Sequence, residues 1–165
     1  GGIKLEGVAS FATQSDYGRN PVNYRAEYYN LEASLNTAAW AFKGGYEELG
    51  SDKGKAAFQT PLATLHAFNG WADLFLTTPS TGLRDYYVGA SYKFVYVKAL
   101  PGLNLTATWH RFDSDSGAMH FGDEFDASVG FKLGAVALLA KYAHYDADKF
   151  GANTEKVWLQ ASFGF

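Results

Sequence analysis

The side chains able to move protons near neutral pH are four histidines, His66, His110, His120 and His144. Cysteine is absent, which excludes thiolate nucleophiles, disulfides and Cys-ligated zinc. Hydrolysis or acyl transfer on a lipid would need a histidine, a serine and an acid within mutual reach. His110 has Thr108 beside it on the same strand face, and no serine follows it in His-x-Ser spacing. An enzyme therefore ranks below a channel or a structural role, and His110 reads as a hydrogen-bonding residue. Two acidic runs, Asp113-Ser-Asp115-Ser-Gly117 and Asp146-Ala-Asp148, invite a calcium reading. Neither continues with the oxygen ligands of a calcium loop, and after the second Phe150 stands where a third ligand belongs. Solvated acidic turns explain them, so no metal and no cofactor is expected.

The other charged residues recur at every second position within apolar stretches, and that period of two is the mark of strands. Lys4 and Glu6 alternate with Ile3, Leu5 and Phe11. Glu32 lies between Leu31 and Ala33, and Lys43 and Glu47 lie among Trp40, Phe42 and Tyr46. Lys93 follows Tyr92, and Thr108 and His110 flank Trp109. Glu124, Asp126 and Lys132 alternate with Phe125, Ala127, Val129, Phe131 and Leu133. Lys141 interrupts Val136–Tyr142, where the contrast is weakest. The last strand, Lys156-Val-Trp-Leu-Gln-Ala-Ser-Phe-Gly-Phe165, sets Val157, Leu159, Ala161, Phe163 and Phe165 on one face. About eight strands result.

Composition agrees with an all-β chain: 17% aromatic residues, 18 glycines and only 4 prolines in 165 residues. A net charge of −3 argues against nucleic acid as a partner. No apolar run approaches the roughly 20 residues of a membrane-spanning helix. Alternating strands average out in such a scan, so a membrane sheet escapes it. No signal peptide is evident, so the chain reads as either a mature or an engineered form, and Gly1-Gly2 as a linker scar or an arbitrary start.

The same alternation suits a soluble sandwich with its apolar face inside, or a membrane barrel with its apolar face outside. Two features favour the barrel. Charges of both signs share the polar face, as in an enclosed interior where they pair. The links also alternate: those around Gln14–Asn23, Gly50–Arg84, Phe112–Asp123 and Asp146–Glu155 are long and polar, and those around Thr37–Ala39, Val95–Gly102 and Gly134-Ala135 are shorter. Long loops on one side, with short turns and both termini on the other, is the outer-membrane arrangement. Trp158, Phe163 and Phe165 read as the closing-strand signal for barrel assembly.

The link at 50–84 is too long for a plain hairpin. Leu62, Leu65, Phe68 (or Asn69) and Ala72 follow Pro61 at roughly helical spacing, which predicts a short helix there. Its apolar residues would either fold into the barrel mouth or pack at the rim. Folded inward, His66, Trp71, Asp73 and Arg84 become candidates for a constriction. The run Gln59-Thr-Pro-Leu-Ala-Thr-Leu-His-Ala-Phe-Asn-Gly-Trp-Ala-Asp73, within Phe58–Gly89, is distinctive. With Gln14-Ser-Asp-Tyr-Gly-Arg-Asn-Pro-Val-Asn-Tyr24 and the last strand, it resembles the C-terminal part of outer-membrane porins of the alginate-export type. That resemblance implies a solute-passing barrel in the outer membrane of Gram-negative bacteria. Members of that family are usually much larger, so the chain is either a small barrel or the C-terminal part of a larger one.

The expectation is a single antiparallel transmembrane β-barrel domain over 1–165, in the bacterial outer membrane with periplasmic termini. Passive passage of small hydrophilic solutes or saccharides leads. A barrel filled by its own side chains, acting as a scaffold, is the first alternative, because eight strands enclose little more than side chains. A lipid-modifying enzyme is the second. Candidate lumen residues are Lys4, Glu6, Glu32, Lys43, Glu47, Lys93, His110, Glu124, Asp126, Lys132 and Lys141. Expected partners are outer-membrane lipid and lipopolysaccharide, the barrel-assembly machinery and small hydrophilic solutes.

Overall fold

The computed structural model describes residues 2–62, 66 and 68–164. It is an all-β fold of eight strands: β1 Lys4–Ser15, β2 Arg25–Asn36, β3 Trp40–Leu49, β4 Leu83–Lys93, β5 Asn104–Asp113, β6 His120–Leu133, β7 Val136–Ala147 and β8 Thr154–Phe163. Every neighbour in sequence is an antiparallel neighbour in one sheet, in the order β1 to β8. β1 and β8 are its two edges, and no pairing between them occurs among the described residues. No helix long and apolar enough to cross a membrane occurs among the described residues, which says nothing about strands.

Register keeps the two faces chemically separate across the sheet. Ser34 lies opposite Lys43, Glu47 opposite Asp85, Thr108 opposite Asp126, and Ala143 opposite Lys156. On the other face Leu31 lies opposite Tyr46, Val88 opposite Trp109, and Ala140 opposite Leu159. A slip of one residue in any ladder would exchange the faces.

Burial then runs opposite to that of a soluble sheet. Glu47, Asp85, Thr108, His110, Glu124 and Asp126 are buried, whereas Leu5, Leu31, Val88, Trp109, Phe125, Val157 and Leu159 are exposed. Leu31 is 58% exposed and Leu159 83%, against 1% for Glu124. Phe94 and Phe131 are half-buried, and neither lies in an interior. The polar face is concave, because Glu6 on β1 and Thr106 and Thr108 on β5 line one cavity.

Aromatic rings on the apolar face gather toward the two strand ends. Trp40 stacks on Phe42 with centroids 5.5 Å apart, and touches Tyr92 at 4.6 Å, which in turn meets Phe94 at 4.7 Å. Toward the other end Phe11 meets Tyr29 at 5.2 Å, and Tyr46 meets Tyr86 at 5.0 Å. Such offset and tilted pairs suit the ring quadrupoles.

The apolar core lies at the end of the polar face that carries the link 50–82. Leu49, Leu83, Phe112, Phe121, Ala143 and Tyr145 come from strand ends, and Ala72 and Phe75 come from the link. Phe75 has four aromatic neighbours: Phe112 at 4.6 Å, Phe150 at 5.1 Å, Phe121 at 5.9 Å and Tyr145 at 6.0 Å. Tyr145 donates its hydroxyl hydrogen to the Phe121 carbonyl at 2.8 Å, so its polar tip is satisfied while its ring stays dry.

Two sequence expectations require correction. The link lengths do not alternate cleanly: β6 begins at His120, which leaves only 114–119 before it, whereas 94–103 separates β4 from β5 on the opposite side. The Leu62–Ala72 helix is absent from the described residues, and Leu65 lies outside them. Asn69, Gly70 and Asp73 hold φ of 55°, 82° and 60°, left-handed values that no right-handed helix contains. These reversals turn the link's backbone N–H groups toward the sheet, where carboxylates receive them.

Candidate functional site: the polar face and the inserted link

Buried carboxylates on the polar face find neutral donors more often than ammonium groups. Glu47 accepts from the Tyr28 hydroxyl and the Asn69 amide, both at 2.7 Å. Glu124 accepts the Ala72 backbone N–H at 2.7 Å, and Asp126 accepts that of Trp71 at 3.1 Å. Glu32 accepts from the Tyr87 hydroxyl at 2.7 Å. The expected mutual pairing of charges is thus largely replaced by backbone and side-chain donors. A buried carboxylate gains more from short, directed N–H and O–H bonds than from a flexible lysine whose own desolvation must also be met.

Two glycines make these contacts geometrically possible. The Tyr87 ring crosses Gly45 on the way to Glu32, and a Cβ at Gly45 would stand 2.4 Å from its hydroxyl. Gly70, at φ 82°, lets the link backbone lie against the Glu124 carboxylate, and a Cβ there would meet Oε2 at 2.5 Å.

Toward β7 and β8 the link is held by ions. His66 Nδ1 lies 2.6 Å from Asp73 Oδ1, and Lys156 donates to Asp73 Oδ2 at 2.9 Å. Lys141 Nζ lies 2.7 Å from His66 Nε2 and 3.9 Å above the Trp71 ring. The arrangement fits a neutral His66 that donates from Nδ1 to Asp73 and accepts at Nε2 from Lys141. Burial pushes the Asp73 carboxyl up, but the hydrogen bonds from His66 and Lys156 and the charge of Lys156 outweigh it and hold it below its ordinary value. On the other flank, Gln59 and Gln14 bond reciprocally, Gln59 N–H to Gln14 Oε1 at 2.8 Å and Gln14 Nε2 to the Gln59 carbonyl at 3.1 Å. The link thereby straps the polar face from β1 to β8.

His66, Trp71 and Asp73 come together within this strap, and Glu47, His110, Glu124, Asp126 and Lys141 line up around it. Arg84 does not join them. Its register partner is Glu48, it shares the face of Tyr86, and its guanidinium bonds Glu48 at 3.1 Å and Asp115. Strand parity alone separates it from Asp85, one residue on. Lys4 and Glu6 pair with each other at 2.8 Å near the β1 edge, and Lys93 and Lys132 form no ion pair among the described residues. Trp158 stands on the polar face, with its ring 5.1 Å from His66 and 5.2 Å from Lys141 Nζ. Phe163 is exposed, and Phe165 lies outside the described residues.

His110 Nδ1 lies 2.9 Å from both oxygens of Asp85, and its Nε2 faces Asp126 at 3.9 Å. Both ring nitrogens are thus turned toward carboxylates, while the ring stacks on Phe112 at 5.5 Å. In the acidic turns, Asp115 accepts the Ser51 N–H at 2.8 Å, and Asp113 lies 2.8 Å from His120. These acids hold the rim together.

Sequence reasoning missed Asp85, Asn69, Tyr28 and Phe75. Asp85 was within reach: extending the polar parity of Tyr87 and Gly89 back two residues lands on it. Asn69-Gly70 carries an ordinary turn signal. Nothing local marked Phe75, whose neighbours come from three other parts of the chain. No protein-family model matches this chain, and no match was found among curated proteins or solved structures.

Proposed function

We propose that the sheet is the wall of an outer-membrane β-barrel of the porin kind, through which small hydrophilic solutes pass. The observation carrying this reading is the inverted polarity of the sheet, with leucines, valines and aromatics outward and carboxylates inward. A water-facing sheet would expose several hundred Å² of contiguous apolar surface, which soluble monomers avoid. In lipid the same surface is favourable, and the aromatic pairs toward both strand ends match interfacial belts. The β1 and β8 edges must then be paired, since hydrocarbon offers no water to unpaired N–H and C=O groups. Further strands can supply that pairing, in keeping with a C-terminal portion of a larger, alginate-export-like barrel. The strap at 50–82 serves as the constriction.

One observation favours a second reading, a filled scaffold: Phe75, Trp71 and the buried carboxylates leave little space on the β5–β8 side. Conductance of the purified protein in planar bilayers separates the two. Discrete open steps support the pore, and a silent bilayer with correctly inserted protein supports the scaffold.

A further inference from the structure

Two cavities on the polar face, of about 300 Å³ and about 260 Å³, share Glu32 and Lys43 in their walls and so form one track along β1–β5. It runs from Glu6 past Glu32 to Glu47, Asp85 and His110 beneath the strap. Lys4 answers Glu6 at the open end. Further in, three carboxylates face one ammonium, Lys43, which forms no ion pair among the described residues and lies 5.3 Å from the centre of the Tyr87 ring. The partners of Glu32 and Glu47 there are neutral hydroxyl and amide donors, and no cationic side chain pairs with either carboxylate among the described residues.

The inner end of the track carries a second, separate sign. His110 lies between Asp85 in the cavity wall and Asp126, which is 1% exposed and stands behind that wall beside Glu124. Asn30, also in the wall, has a buried carbonyl oxygen Oδ1 without a donor among the described residues. An unmatched acceptor on a residue of an acid-lined wall suits a donor-rich, positively charged guest.

We infer that this track selects small cations and amine-bearing hydrophilic solutes, with Glu32, Glu47 and Asp85 as the residues that set the preference. As a property of a passage, this rests on the pore reading above. As a binding cleft, it stands by itself. Carboxylates lining a narrow, poorly screened cleft concentrate counter-ions and repel anions, and rings of Asp and Glu act in this way in cation channels.

The test is ion selectivity in planar bilayers across a KCl gradient. K⁺ is expected to pass several-fold more readily than Cl⁻. The Glu32→Gln/Asp85→Asn variant should bring the two toward parity, and Lys43→Gln should widen the difference. Glu32→Gln keeps a carbonyl acceptor for Tyr87, so it guards against loss through misfolding. Open steps without K⁺ preference, or a preference indifferent to these variants, overturn the inference and leave the pore intact. If no steps appear, the pore reading fails, and calorimetric titration of the micellar protein with putrescine decides the cleft alone. Binding lost in the Glu32→Gln/Asp85→Asn variant supports the inference, and no binding overturns it.

Discussion

The two halves of the polar face carry the same kinds of residue and meet different surroundings. On β6, Glu124 and Asp126 are each 1% exposed beneath the strap, whereas on β1 the side chains of Lys4 and Glu6 remain 70% and 48% exposed. The strap explains the contrast. Where Ala72 and Phe75 insert, carboxylates are dry and take backbone N–H groups; where the strap only roots through Gln59 and Gln14, the face stays open. One side is built for holding, and the other is left free to receive something.

Several substitutions would break or sharpen that contrast. Phe75→Ala removes the ring shared by Phe112, Phe121, Tyr145 and Phe150, and should cost about 3–5 kcal/mol in denaturant unfolding from micelles. Leu5→Ala at the exposed β1 edge should cost far less, and equal losses would mean that the filled half is not what holds the sheet together.

Leu31→Arg on the apolar face should cost about 2–4 kcal/mol in a bilayer near its midplane. If that face met water instead, the change would stay within about 0.5 kcal/mol. Unfolding measured in lipid vesicles distinguishes the two.

Glu124→Leu leaves the Ala72 N–H buried without an acceptor and should cost about 1–3 kcal/mol, seen first as faster proteolysis within 50–82. Glu32→Leu, in the open half, should leave that proteolysis unchanged.

The smallest effect is expected at Asp73. Its carboxyl is held below the ordinary value of 3.8, so the folded state prefers the ionised form. Its contribution is complete above that value and fades as pH falls through the lowered folded one. Strap proteolysis by an acid-stable protease should therefore rise as the medium is acidified below about pH 4, and Asp73→Asn should flatten that rise.

Much of the sheet was legible because period-two alternation is a local property. Leu103, Leu105, Ala107 and Trp109 against Asn104, Thr106, Thr108 and His110 fix which side of β5 faces which way, whatever lies beside it. The helical spacing in the strap misled, because Asn69-Gly70 breaks the period with left-handed backbone, and turn chemistry outranks apolar spacing over so short a run. Arg84 was misplaced for a related reason. β4 begins at Leu83, so Arg84 belongs to the strand and not to the link, and takes the face of Tyr86, opposite Glu48.

The amino-acid sequence by itself determined the strands, their two chemically distinct faces and the order in which neighbours pair, because alternation and short links act over a few residues. Tertiary structure alone decided which acids are buried and what satisfies them. Glu124 and Asp126 receive N–H groups from a segment more than fifty residues away, and no local pattern encodes which backbone will arrive there. It also decided that the strap closes one half of the polar face and leaves the other open, since that depends on where Phe75 finds four rings from distant strands and links.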